Sequence, residues 1–135
     1  QRDNLFTGTN VQVYKGAISN VDGSVKFSQD AINVGHSKVH ENGNVEVQSL
    51  TINNFLEKFK VPDSIDFVSL DVEGYEEDIL RSWDLDQWQV EVFCVERGYK
   101  FKDLLIEKGY EATNPDGMGY KDYKFCHGNT LFIKN

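Results

Sequence analysis

The stretch from residue 64 to residue 96 constrains the fold of this chain more than any other. Ile65-Asp66-Phe67-Val68-Ser69-Leu70 is short, β-rich and mostly apolar, which predicts a strand buried on both faces. It runs into Asp71-Val72-Glu73-Gly74, and a helix is expected from about Tyr75 to Ser82. Gly74 allows the backbone to bend sharply between the two. Glu76, Glu77 and Asp78 crowd the first turn of that helix, where they favour the positive end of its dipole. Val90 to Val95 then gives a second buried strand, ending at Glu96. Strand, helix and strand in this order make a βαβ unit, so the second half of the chain predicts a largely parallel sheet.

The remaining segments fit around that unit. Val11-Gln12-Val13-Tyr14 alternates and reads as a strand ending at Gly16-Ala17. Asp22-Gly23 is a turn signal, followed by a short strand from Ser24 to Ser28. Residues 29–44, rich in asparagine, glycine and histidine, read as a long surface loop, and Val45 to Gln48 as another strand. Ile52, Phe55, Leu56 and Phe59 have helical spacing within Thr51 to Phe59, ahead of Pro62. A helix from Phe101 to Lys108 is closed by Gly109. Tyr110 to Thr113 and Thr130 to Ile133 are expected as last strands, on either side of the turn-rich Asn114-Pro115-Asp116-Gly117.

With 135 residues the chain amounts to one domain, residues 1–135, and can bury a core. The formal charge of -8 argues against a nucleic-acid surface, because phosphate binding needs a basic patch and none is visible. No apolar run approaches the roughly 18–20 residues of a membrane span, and residues 1–10 lack the apolar core of a signal peptide. Cys94 lies in an apolar run as a small hydrophobe; a disulfide to Cys126 stays open, but no secreted disulfide framework is present, so a cytoplasmic location is expected. The chain starts with Gln1 and its sole methionine is Met118, which reads as a processed or cut product of something longer.

In an open parallel sheet, ligands bind outside the carboxyl ends of the strands. Gly16-Ala17, Asp71-x-Glu73-Gly74 and Glu96 all stand at such ends. Asp71 and Glu73, two apart in extended chain, point the same way. Each also has a plain structural reading: Asp71 as a helix N-cap, Glu73 as a solvated loop carboxylate, Glu96 as the partner of Arg97 in a surface ion pair. Convergence favours a site, since two buried strands both end in acids. His36 and His40 lie in the polar loop without a third ligand nearby, so no metal site is expected there. Gly117-Met118-Gly119 lacks the strand-before, helix-after setting of a phosphate-binding turn. Trp83, Trp88, Tyr120 and Tyr123 read as packing.

The run from Ser64 to Glu76, followed by Ile79-Leu80, closely resembles the hallmark segment of FkbM-type methyltransferases, above all in D-V-E-G-x-E. Val13 to Ser19, Val47 to Ile52 and Val95-Glu96 followed by Gly109-Tyr110 are similar to its flanking segments. The resemblance implies a Rossmann-like α/β methyltransferase sheet, mostly parallel and here incomplete on its N-terminal side, with the first two strands missing. It implies methyl transfer from S-adenosylmethionine to a small-molecule or glycan hydroxyl, on a sugar or a natural product. Asp71, Glu73 and Glu96 would be the catalytic residues; Gly16, Ala17, Asp71 and Gly74 would hold the cofactor. The family's glycine-rich turn and ribose-binding acid should precede residue 11 and are not found in residues 1–10, so the chain is expected to be inactive alone and to self-associate through unpaired strand edges. A degenerate methyltransferase remnant serving as a binding or scaffold module is the alternative. A hydrolase holding a divalent cation between Asp71, Glu73 and Glu96 ranks lower.

Overall fold

In the computed structural model, residues 10–28, 38–39, 45–72, 74–113 and 128–135 are described. Around Asp22-Gly23 the chain forms an antiparallel pair, β2 (Gly23–Ser28) with β4 (Val45–Leu50), with Val25 facing Val47. The short β3 (Lys38–Val39) extends it beyond β2, within the segment expected to be loop. β1 (Ala17–Ile18) runs parallel to β4, Ala17 beside Ser49. Here the buried hydroxyls of Ser19 and Ser49 satisfy each other at 2.6 Å. This first sheet has the order β1-β4-β2-β3.

The apolar spacing read at Ile52 and Leu56 becomes α1 (Ile52–Lys58), which buries both side chains. Its N-cap residue, Thr51, makes no side-chain cap. Asp22 takes that role from across the sheet, accepting the Thr51 N–H at 2.8 Å and the Asn54 side-chain amide at 2.6 Å.

The second sheet is the predicted βαβ unit with additions. β5 (Ser64–Leu70) and β6 (Gln89–Glu96) lie parallel in the register Ser64 to Gln89 and Leu70 to Val95, bridged by α2 (Glu76–Ser82). After a 3-10 turn (Gly98–Phe101) and α3 (Lys102–Glu107), β7 (Tyr110–Ala112) and β8 (Asn129–Lys134) complete the order β5-β6-β8-β7. Gly109, at φ +87, ends α3 as the sequence predicts.

The core lies where α2 and α3 cover this sheet. Leu80, Val90, Phe93, Val95, Leu105 and Phe132 are fully buried, each contributing about 1.5–3 kcal/mol of hydrophobic stabilisation where the side chain is large. Tyr110 joins them and donates its hydroxyl to the Val90 carbonyl at 2.6 Å. Trp83 meets Phe93 edge-on at 5.3 Å, so both tryptophans, Trp83 and Trp88, are packing residues as expected. α1 adds Ile52 and Leu56 to the same cluster. Asn53 fastens it to the end of α2, donating to the Ser82 carbonyl at 2.8 Å and accepting the Asp84 N–H at 3.0 Å.

The architecture corrects three expectations. The α/β class holds, but among the described residues there are two sheets, in which only β1–β4 and β5–β6 are parallel and the other four pairings are antiparallel. A parallel pair needs a long crossover, which the chain supplies through 19–44 and through α2; elsewhere neighbouring strands reverse. β5 is not buried on both faces. It ends its sheet, and Phe67 is 55% exposed. Residues 11–14 are not a strand; the ladder to β4 begins only at Ala17, and Val13 is 60% exposed. Among the described residues no helix is long and apolar enough to cross a membrane. Cys94 is half-buried in β6, while Cys126, His36, His40, residues 114–127 and the tyrosines Tyr120 and Tyr123 lie outside the described residues.

Candidate active site

The β5–β6 register sets the geometry. Leu70 pairs with Val95, so the residues one step further, Asp71 and Glu96, leave adjacent parallel strands at one rim. Their carboxylate oxygens lie within 4.8 Å of each other and of a third, from Glu76. Asp71 is exposed, Glu96 half-buried and Glu76 buried.

Glu76 belongs to the first turn of α2, where the sequence suggests an acid favouring the helix dipole. Instead it folds back over the turn that precedes it. Its two oxygens accept the backbone N–H groups of Val72, at 3.2 Å, and Gly74, at 3.0 Å. Gly74 bends at φ +115 with nothing within 4 Å of an added Cβ, so its requirement is conformational and not steric. Tyr75, not Asp71, is the N-cap residue of α2, which removes the helix-cap reading of Asp71. Asp71 is left directed to the rim.

Beside these carboxylates lies a cavity of about 260 Å³, lined by Gly74, Glu76, Glu77, Glu96, Arg97 and Lys100, with Phe101. Arg97 reaches Glu96 only at 3.9 Å with 60% of its own side chain exposed, an ion pair that contributes little. Glu77 pairs with Arg81 at 2.8 Å, one helical turn on. The structure thus brings together Asp71, Gly74 and Glu96 of the expected residues. Glu73 lies outside the described residues.

Gly16 and Ala17 do not line this cavity. An added Cβ at Gly16 would sit 2.3 Å from the Tyr14 ring, so its small size accommodates that ring. Ala17 is buried in β1 against β4. A link from this segment to α2 comes from Asn20, whose side chain donates to Asp78 at 3.4 Å. Glu76, Arg97 and Lys100 also stand at this rim and cavity and are not among the site residues expected from the sequence. For Glu76 the signal was present, two residues after a glycine that must bend; for the cations it was not.

Three carboxylates this close suit a hard divalent cation or, in a cation-free role, a positively charged ligand and a proton to be removed. The methyltransferase FkbM domain matches residues 3–116. The chain belongs to that family. No curated protein matches it, and no solved structure does. The matched range includes Asp71, Glu76 and Glu96, whose carboxylates meet at one rim of the second sheet.

Proposed function

We propose that the rim formed by Asp71, Gly74 and Glu96 is the methyl-transfer site of an S-adenosylmethionine-dependent O-methyltransferase acting on a sugar or natural-product hydroxyl. The observation that carries this reading is the convergence of Asp71 and Glu96 beside a cavity, in a chain of the FkbM family. The donor set fits such a cofactor, since an anionic lip complements its positive charge. When bound, the cofactor supplies a methyl group on a sulfonium sulfur. The chain's own task is to align the acceptor oxygen and remove its proton. Glu96, half-buried at the cavity, is placed to take that proton, and Asp71 sets the negative field at the rim. Glu76 keeps the turn between them and α2 fixed.

The rim is one part of a cofactor grip, so the 135-residue chain alone is expected to bind S-adenosylmethionine weakly and to turn nothing over. Nitrogen-15 amide shifts during titration test this. Weak, roughly millimolar binding with shifts at Asp71, Gly74 and Glu96 supports the reading. Unmoved amides at all three would sink it in favour of a binding module, and micromolar affinity would overturn the inactivity.

A second reading rests on the carboxylate cluster itself: a divalent cation held by Asp71, Glu76 and Glu96, with Glu76 where the sequence suggested Glu73. Magnesium titration followed by thermal shift separates it. A stabilisation lost in Asp71→Asn supports the cation, and no response removes it.

Self-association belongs to the same proposal. β1 and β5 each end their sheet, and between them an apolar groove of about 330 Å³ is lined by Ile18, Ile65, Phe67, Leu70 and Val72 among others. Sedimentation of the chain as a monomer at roughly 100 μM would remove this part.

A further inference from the structure

Two cations stand over the same cavity as the carboxylates. Arg97 takes the left-handed backbone conformation, φ 50 and ψ 34, which non-glycine residues adopt only under constraint. Its N–H donates to the Gly128 carbonyl at 3.1 Å, and its own carbonyl accepts the Lys100 N–H at 3.0 Å. The chain leaving β6 is thereby bent straight into the 3-10 turn. Both Arg97, at the N-cap of the turn, and Lys100, within it, line the cavity.

The turn is also pinned from below. Gly98 is buried, and an added Cβ would sit 2.8 Å from Thr130 Cβ and 2.9 Å from Phe132 Cε2 on β8. Arg97 and Lys100 are therefore presented by a turn whose start is fixed against β8.

The other charges nearby are largely committed. Glu76 is met by two backbone N–H groups, and Glu77 by Arg81. Lys100 makes no ion pair or side-chain hydrogen bond among the described residues. Resting on the methyl-transfer reading, we infer that the acceptor is a hydroxylated carboxylate of the uronic-acid kind, its carboxylate held by Lys100 and Arg97 while Glu96 faces the hydroxyl. A guanidinium fork and an ammonium suit a carboxylate. A phosphate dianion would meet stronger repulsion from Asp71 and Glu96 at the same rim.

The test is a titration of the nitrogen-15-labelled chain with D-glucuronate, D-glucose and inorganic phosphate in turn. D-glucuronate shifts the amides of Glu96 to Phe101, glucose leaves them in place, and phosphate binds less well. Lys100→Gln weakens D-glucuronate by roughly fivefold, whereas Lys58→Gln, on the exposed surface of α1, leaves it unchanged. Equal shifts with glucose, or indifference to Lys100→Gln, overturn the inference. So does phosphate binding at least as well, or displacement of D-glucuronate by S-adenosylhomocysteine, which would give the two cations to the cofactor. Failure of the methyl-transfer reading shows separately, as S-adenosylmethionine leaving Asp71 and Gly74 unmoved while D-glucuronate still binds.

Discussion

Glu76 accepts the backbone N–H of Gly74 at 3.0 Å from within the helix that Gly74 introduces, and its other oxygen takes the N–H of Val72. One buried carboxylate thus closes the Asp71–Gly74 turn on itself, and the direction in which Asp71 leaves β5 depends on it. Glu76→Ala should cost about 1.5–3 kcal/mol, as expected for hydrogen bonds to a charged acceptor. Chemical denaturation measures the loss, and hydrogen exchange at Val72 and Gly74 should speed up with it. A change under about 0.5 kcal/mol with unaltered exchange would show that the turn holds without Glu76.

Gly74 and Gly98 make a contrasting pair, because alanine fails at each for a different reason. At Gly74 the obstacle is φ +115 alone, with open space around the missing Cβ, so Gly74→Ala should cost about 1–2 kcal/mol. At Gly98 the backbone is permissive but Thr130 and Phe132 stand in the way, and overpacking there costs about 1–3 kcal/mol. Trimming the obstacle distinguishes them. Phe132→Leu removes the Cε2 atom, so in that background it should recover part of the Gly98→Ala loss and should do nothing for Gly74→Ala, each measured against Phe132→Leu alone. Equal recovery in both would refute the assignment.

The helix α1, which adds Ile52 and Leu56 to the core, is capped by a residue far from it in sequence. Asp22 accepts from Thr51 and from Asn54, so Asp22→Ala should destabilise the fold by about 1 kcal/mol, the usual worth of a cap. Thr51→Ala should cost less, since the Thr51 hydroxyl reaches Asp22 only at 3.4 Å. Thermal melts of the two variants decide; a larger loss for Thr51→Ala would place the cap on the wrong residue.

What the sequence discloses follows from how local each device is. The strand, turn and helix of Ile65 to Ser82 are contiguous, so apolar patterning, an acid-rich first turn and one glycine locate them. Glu96 follows from the same logic, at the end of the next apolar run. Pairing direction is not local. Nothing in Thr130 to Ile133 reveals that β8 lies antiparallel to β6, with Phe132 opposite Phe93. β5 and a central strand share one composition, so the exposure of Phe67 was hidden. Asp22 reads as a turn former because its helix lies some thirty positions on. Arg97 is hardest to anticipate, since its left-handed backbone is imposed by Gly128 and by the packing of Gly98, both set by tertiary contact.

Among the described residues, Tyr110 gives the one titration with a clear direction. Burial raises its hydroxyl above the ordinary value of 10.0, and the nearby charge of Glu91 acts the same way. As pH rises past about 10 the unfolded chain loses this proton while the folded chain keeps it. The unfolded state then binds fewer protons, so stability falls with pH through that window. Tyr110→Phe has no such proton. At neutral pH it should be less stable by about 1–2 kcal/mol, because the Val90 carbonyl loses its donor in a buried place. The gap between the two proteins should narrow as pH climbs from about 9 to about 11, even though other tyrosines and lysines titrate, because those are common to both. Urea unfolding of the pair at several pH values across that range measures it. A gap that stays constant or widens would mean that Tyr110 ionises as freely in the folded chain as in the unfolded one.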